Sequence, residues 1–432
     1  MTQPTTISQL ITNPSCMDDY DPNSMPVAKA RQFIKQFLSP VMETEHLSIR
    51  ESLGRVLAAD ILSPSNVPNY DNSAMDGYAF NADDINLEKS TALKVIGTAF
   101  AGKAFDGEVK PDECVRIMTG GMMPRGTDTV IVQERVTLTG DQINFSEAPK
   151  RKMNVRYAGE DLQQGQMVLG TGHMIRAADL GLIASLGIGK VSVYRKLKVA
   201  FFSTGDELAS VGEPLNTGQV YDSNRYTLYG MLSRLGVEII DLGAIADDAE
   251  LLESTLLKAA EQADVVITSG GVSVGEADYM KLLLAKHGQV VFWKIAMKPG
   301  RPLAYGKVQG SKIKAAHYFG LPGNPVAVMV TFYQFVREAM LMLMGQASPA
   351  PLPIFNVVCT ENIKKQTGRT EYQRGILFTD TDGVWKVKPT GAQGSAILSS
   401  MSLANCFIVL NESIGNLEAG TIVQVQVLDG IV

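Results

Sequence analysis

The residues best placed to do chemistry run from Ala263 to Lys281, ADVVITSGGVSVGEADYMK. Val265 to Ile267 is a short β-branched run that suits a strand buried on both faces. Ser269, Gly270, Gly271 and Ser273 follow in a loop whose glycines let a ligand approach the backbone. Glu276 and Asp278 then give a helix an acidic first turn, and Met280, Leu282, Leu283 and Leu284 supply its apolar period. A strand, a glycine loop and a helix start make an anion site at the carboxyl edge of a parallel sheet. An ordinary tight turn uses the same residues, so the loop is weighed with its neighbours.

Those neighbours point the same way. From Lys198 the pattern is βαβα: a strand at 199–202, a sharp turn at 203–208, a helix at 224–235 stopped by Gly236, a strand at 237–242 and a helix at 248–262. Such spacing means a parallel sheet with right-handed crossovers, and ligands of such sheets sit outside the carboxyl ends. Asp206 with Glu207, Asp247 with Asp248, and the Ser269 loop all fall there. Next, VVFWKIAMKPGRP at 290–302 carries Lys294, Lys298 and Arg301. In one extended strand Lys294 and Lys298 share a face about 13 Å apart, which suits two anionic groups of one ligand. A solvated edge with gatekeeper lysines is the alternative, but Pro299 and Gly300 indicate a shaped loop. A strand at 317–320 ends in Leu321-Pro322-Gly323-Asn324-Pro325, and the apolar helix at 328–344 follows. Pro325 in its first turn leaves free amides pointing outward, a second anion site in the same sheet.

The elements that must carry these residues give a multidomain α/β plus β chain. Residues 1–25 are polar and read as a flexible arm. Helical patterns at 26–37 and 49–60, resumed by a helix at 179–187, predict a discontinuous N-terminal helical domain, 26–64 and 151–190. Between them, 65–150 reads as an inserted β-rich domain. That insertion holds Asn69-Tyr70-Asp71-Asn72-Ser73-Ala74-Met75-Asp76, either a polar ligand loop or, more simply, a self-capping Asx-turn. It also holds Thr119-Gly120-Gly121, a turn that could present amides to a ligand. Residues 191–347 form the doubly wound, mostly parallel sheet domain. After a proline-rich linker, 352–432 predicts a small C-terminal β-barrel, with Arg369, Arg374 and the Gly394-Ser395-Ala396 turn as its polar features.

Bulk properties narrow the function classes. A chain of 432 residues with 45% apolar and 19% charged residues folds as several domains. The formal net charge of -6 argues against a nucleic-acid partner. Four scattered cysteines and four scattered histidines form no metal spacing, and a reducing, cytoplasmic setting is expected. Neither a signal peptide nor a membrane span is expected. Without a G-x-x-x-x-G-K-[ST], H-E-x-x-H or G-x-S-x-G motif, chemistry rests on carboxylates, lysines and backbone amides. A hard cation such as Mg²⁺ fits that inventory.

Taken in order, DNSAMDGYA, RIMTGG, STGDEL, SGGVSVGEADY, FWKIAMKPGRP and GLPGNPV closely resemble the molybdopterin molybdenumtransferase family (MoeA), which includes the gephyrin E domain. The resemblance covers about Pro26 to the C-terminus. It implies insertion of molybdate into adenylylated molybdopterin with release of AMP, dependent on Mg²⁺. Asp278, Lys294, Lys298, Asp161 and Asp71 would be catalytic, and Glu207, Asp278 and Asp247 would hold the metal. Thr119, Ser269, Gly270, Gly271, Ser273, Arg301, Pro322, Pro325, Arg369, Arg374 and Ser395 would contact substrate. Asp71, Thr119 and Asp161 would come from the second subunit of a homodimer, and the molybdopterin adenylyltransferase is a candidate partner. A non-catalytic, peptide-binding dimer of the gephyrin type is the alternative. Gly121-Met122-Met123 departs from the family's more usual Ala-Pro-containing turn without touching a charged position.

Overall fold

The computed structural model describes residues 24–85, 92–147, 149–271, 279–310 and 315–428. The chain forms two compact units. One comprises Met1–Glu45, Gly54–Val56 and Val193–Val432; the other comprises His46–Leu53 and Leu57–Ser192.

The first unit is built on a six-stranded sheet. Its order is Glu238–Ile245, Lys198–Thr204, Val265–Ser269, Ala315–Leu321, Pro302–Gln309, Gly288–Lys294. The first four strands are mutually parallel; Pro302–Gln309 runs antiparallel to them, and Gly288–Lys294 pairs antiparallel with Pro302–Gln309 and so runs in the direction of the first four. Val265–Ser269 lies in the middle and is buried along its whole length, as its unbroken apolar run requires. On one face Phe202, Val266 and Tyr318 pack against Leu252, Leu256 and Ala259 of the helix Ala249–Gln262 and against Met280, Leu283 and Leu284 of the helix Tyr279–His287. Leu282, expected among these, faces out instead. Pro325–Thr331 opens a long helix that passes through a π-helical turn, Phe332–Val336, into Arg337–Leu343. Among the described residues, Pro325–Leu343 is the one helix long and apolar enough to cross a membrane, and it is largely enclosed by this unit.

The same unit carries a closed five-stranded β-barrel. Thr370–Thr379 pairs with Trp385–Pro389 and Cys406–Leu410, and Ile354–Cys359 with Ile422–Val427 closes the ring. Its interior is filled by Val357, Leu377, Val387, Ile408 and Val425.

The second unit centres on a six-stranded sheet. Its order is Thr129–Val132, Gly77–Phe80, Glu113–Ile117, Ala92–Ala99, Gln142–Asn144, Thr137–Thr139. Apolar side chains fill both faces, Tyr78, Phe80 and Ile131 on one and Ala79, Val115 and Val130 on the other.

Three expectations need correction. Residues 49–60 are not helical. Ser48 and Glu51 close a single turn through side-chain hydrogen bonds, and Gly54 adopts φ +74. Leu57 N–H then donates to the His173 carbonyl as an extended strand would. Second, most of the expected arm lies outside the described residues, but its end is fixed: Met25 N–H donates to Lys294 O at 2.8 Å and Met25 O accepts from Ala296 N–H at 2.9 Å. Third, Lys294 and Lys298 do not share a strand. The sheet strand stops at Lys294, Ile295 N–H folds back on Arg301 O at 2.7 Å, and Met297–Lys298 pairs in parallel with Thr370 and Glu371 of the barrel.

Candidate functional site

The carboxyl ends of the four parallel strands open into a cavity of about 1070 Å³ within the first unit. Its floor is the Ser269 loop. Gly270 and Gly271 take φ +90 and +65, and a Cβ on Gly270 would lie 2.5 Å from the Thr204 carbonyl oxygen. Only glycine passes there, and the strand therefore turns directly beneath the cavity. Ser269 itself is buried, and its Oγ accepts from Asn224 Nδ2 at 2.8 Å.

One wall is acidic. Glu207 and Asp247 line it at the ends of neighbouring parallel strands. The Glu207 carboxylate folds over Gly205, its Oε2 only 2.5 Å from where a Cβ on Gly205 would stand. Asp247 is held by its own backbone, which donates to Asp206 Oδ1 at 2.9 Å. Two carboxylates on one wall suit a hard divalent cation that takes its remaining oxygens from a phosphate ligand. Among the described residues no group of three His, Cys, Asp or Glu could enclose a metal alone. The donor set fits Mg²⁺ on those terms.

The same cavity is also lined by cations. Lys298 and Arg301 reach it from the folded-back loop after Lys294, and Arg369 reaches it from the barrel. Lys298 Nζ lies 3.5 Å from Glu371 Oε1, a buried carboxylate that also accepts from Gln373 at 2.9 Å. The lysine remains half exposed.

The barrel also supplies the loop Gln393-Gly394-Ser395-Ala396. Arg374, only 1% exposed, lies behind it rather than in the cavity. Its guanidinium donates to the carbonyls of Ala392 at 3.1 Å, Gln393 at 3.1 Å and Gly394 at 2.9 Å, and to Ser400 Oγ at 2.9 Å. Across a peptide unit the N–H points opposite to the C=O. The amides of Gln393, Gly394 and Ser395 are therefore turned from the arginine, and among the described residues they donate to no protein acceptor. Consecutive amides with one orientation make an anion-binding concavity. Burial without a carboxylate partner pushes the Arg374 pKa down to about 10. Its charge still faces the loop at neutral pH. The helix start at Pro325 behaves differently from expectation. Val326 N–H does not point outward but donates to Ser395 O at 3.1 Å, tying the barrel loop to the sheet domain.

The cavity thus gathers Glu207, Asp247, Gly270, Gly271, Lys298, Arg301, Pro322, Pro325, Arg369 and Ser395. Ser269 and Arg374 support it from behind, and Lys294 is not on its wall. Asp278 and Ser273 lie outside the described residues. Asp71, Thr119 and Asp161 belong to the second unit, where their polar groups bond to residues remote in sequence. Asp71 Oδ1 accepts from Ala158 N–H at 2.8 Å, Thr119 donates twice to Asp76 Oδ1 at 2.7 Å, and Asp161 N–H donates to Val67 O at 3.0 Å. The Thr119 amide and hydroxyl hold the Asp76 carboxyl below its ordinary range. Sequence reading missed Thr204, Asp222, Asn224 and Gln393, all on the cavity wall. Asp222-Ser223-Asn224 carried a signal, an N-cap ahead of a helix, which is what Asp222 provides to Ser223–Leu235.

Comparison with known proteins agrees with this geometry. Residues 25–187 match the MoeA N-terminal region (domains I and II), 200–341 a probable molybdopterin-binding domain, and 356–428 the MoeA C-terminal region (domain IV). The molybdopterin molybdenumtransferase of Haemophilus influenzae is 48% identical over 92% of this chain and 97% of its own length. The chain belongs to the MoeA family. The Nostoc molybdopterin molybdenumtransferase is 36% identical over 86% of each chain. A Pyrococcus horikoshii MoeA crystal structure superposes with TM-score 0.79, at 29% identity, over 94% of this chain and 100% of that one. The six motifs that resembled MoeA all lie within the matched regions. Four of them, STGDEL through GLPGNPV, contribute residues to the one cavity.

Proposed function

We propose that this protein is a molybdopterin molybdenumtransferase, which inserts molybdate into adenylylated molybdopterin and releases AMP. The observation that carries this reading is that one cavity gathers carboxylates, cations and a run of oriented amides. A diphosphate and a second oxyanion have to be held close together in this reaction, and their repulsion is the main obstacle. Lys298, Arg301 and Arg369 offset that repulsion, and the amides of Gln393 to Ser395 receive one oxyanion. Glu207 and Asp247, joined by Asp278 on the family pattern, would hold Mg²⁺, which when bound neutralises phosphate charge. The Ser269 loop brings its glycine backbone to the substrate. No protein nucleophile is required: a molybdate oxygen can attack the adenylyl phosphorus, the phosphoanhydride bond breaks with the molybdopterin phosphate as leaving group, and the Mo–O bond then breaks as the dithiolene sulfurs take the metal, so that oxygen departs in AMP.

Lys294 is assigned to the same electrostatic task. Asp71, Thr119 and Asp161 are assigned to a neighbouring subunit's site in a homodimer, and the adenylyltransferase is the partner that would deliver the substrate. A cytoplasmic setting completes the proposal. The test is AMP release from adenylylated molybdopterin with molybdate and Mg²⁺. Lys298→Met should lose most of the rate with an unchanged unfolding midpoint. AMP release independent of molybdate would refute the reading.

A further inference from the structure

Lys365 is 6% exposed, and its ammonium donates to the carbonyls of Gln366 at 3.1 Å and Ile414 at 2.8 Å. Among the described residues no carboxylate forms an ion pair with it. Burial lowers its pKa, and the more distant Glu371 and Glu412 do not make up for that. A buried ammonium without a carboxylate is weak support for a fold. Its place gives it another use. Gln366 and Arg369, on the turn between Ile363 and Thr370, both line the cavity. Backbone bonds pin the ends of that turn. Ile363 and Leu417 exchange hydrogen bonds at 2.8 and 2.9 Å, and Gly368 N–H donates to Glu412 O at 2.7 Å. Between these anchors Lys365 N–H donates to Asn416 Oδ1 at 2.9 Å, and Lys365 Nζ ties the Gln366 carbonyl to that of Ile414. Gln366 itself is exposed, and among the described residues its side-chain amide has no partner.

We infer that Gln366 is a further substrate-binding residue and that Lys365 is its positioning residue. A side-chain amide that meets no protein acceptor offers two donors to a phosphate or molybdate oxygen. Arg369, three residues on, brings a charge to the cavity from the same turn. The barrel uses one device twice, since Arg374 is likewise buried behind the carbonyls of the loop at 392–394. In both places a cation inside the barrel holds, by its carbonyls, a loop that reaches the cavity. This inference rests on the proposed function and adds to it a residue that contacts an anion and the residue that holds it in place.

The test follows AMP release by the full-length protein with Mg²⁺, varying adenylylated molybdopterin and molybdate in turn. Gln366→Ala removes an exposed amide and should leave the unfolding midpoint unchanged. It should raise the KM for one of the two substrates at least fivefold with kcat within twofold, and the substrate affected identifies the anion held. Lys365→Met, of similar length, should raise the same KM at least fivefold. In a Gln366→Ala background it should add less than twofold, because it acts through Gln366. A KM rise from Lys365→Met that is as large in that background would overturn the positioning role, as would loss of folding in Lys365→Met. Gln366→Ala decides the binding role in either event. AMP release by the wild type, with both KM values within twofold in Gln366→Ala, would refute the inference alone. No AMP release by the wild type would refute the function.

Discussion

Replacing Arg374 by Met separates a role in the fold from a role in the site. The structure lets both be worked out. Arg374 makes four side-chain hydrogen bonds, to Ser400 and to the carbonyls of Ala392, Gln393 and Gly394. At about 1 kcal/mol each they contribute roughly 4 kcal/mol. Against this stands the burial of a charge without a carboxylate. The fall of its pKa from 12.5 to about 10 corresponds to a cost of roughly 3 kcal/mol. An apolar side chain of similar length therefore leaves global stability lower by only about 1 kcal/mol. Anion binding should respond more strongly. Two hydrogen-bond lengths and one peptide unit put the guanidinium about 8 Å from an oxyanion on the Gln393–Ser395 amides. At an effective dielectric of about 20 that is roughly 2 kcal/mol per unit charge, before any disorder of the loop. Arg374→Met should thus bind molybdate at least tenfold more weakly, read by equilibrium dialysis, with a urea midpoint close to wild type. Arg374→Lys should recover part of the loss, since it keeps the charge without the fork. Molybdate affinity within twofold of wild type in Arg374→Met would refute the argument. A collapse of stability with affinity per folded molecule preserved would refute it too.

Other perturbations follow from the same geometry. Gly270→Ala sets a Cβ 2.5 Å from Thr204 O at φ +90, so the loop must move; a loss of about 2–4 kcal/mol and a raised substrate KM are expected, and an unshifted melting temperature would count against the strained turn. His317 is buried against Tyr305, with Lys307 and Asp264 as its charged neighbours, and burial lowers its pKa to about 4. Above pH 6.5 it is neutral in both states. Below that, the unfolded chain binds the proton first, so stability should fall by about 1.4 kcal/mol per pH unit down to about pH 4; urea midpoints at pH 7 and 5 check this, and His317→Phe should flatten the slope. Glu371→Gln should change molybdate affinity only while Lys298 is present; an equal effect in a Lys298→Met background would show that the 3.5 Å pair does not matter.

What could be read from the sequence was what local pattern determines. Val265–Ser269 was legible because a strand buried on both faces needs an unbroken apolar run, and the glycines after it were legible because a tight turn excludes side chains. The barrel announced itself through short strands and turns. The stretch from Lys294 to Lys298 misled because its partners are remote: Met25 on one side, Thr370 and Glu371 on the other. No periodicity within the segment encodes such capture. Residues 49–60 failed for a related reason, since one capped turn and a left-handed glycine override amphipathic spacing. Arg374 could be named but not placed. A solvent-facing arginine and one enclosed by three carbonyls look alike until the loop at 392–394 is seen.

The division of labour between sheet and barrel explains why neither would suffice alone. The parallel strands end in a glycine turn and carboxylates: Gly270, Glu207 and Asp247. That surface can take a metal-bound phosphate, but it repels a second anion. The barrel brings Arg369 and the amides set by Arg374, and its Thr370–Thr379 strand pairs with Met297–Lys298 so that Lys298 stands at the boundary. Val326 N–H to Ser395 O joins the two parts on the other side of the cavity. Backbone pairing between sheet domain and barrel therefore sets where these cations and amides stand. On the proposed reading this is what catalysis requires, because donors fixed before the oxyanion arrives need no reorganisation when charge develops between the two anions.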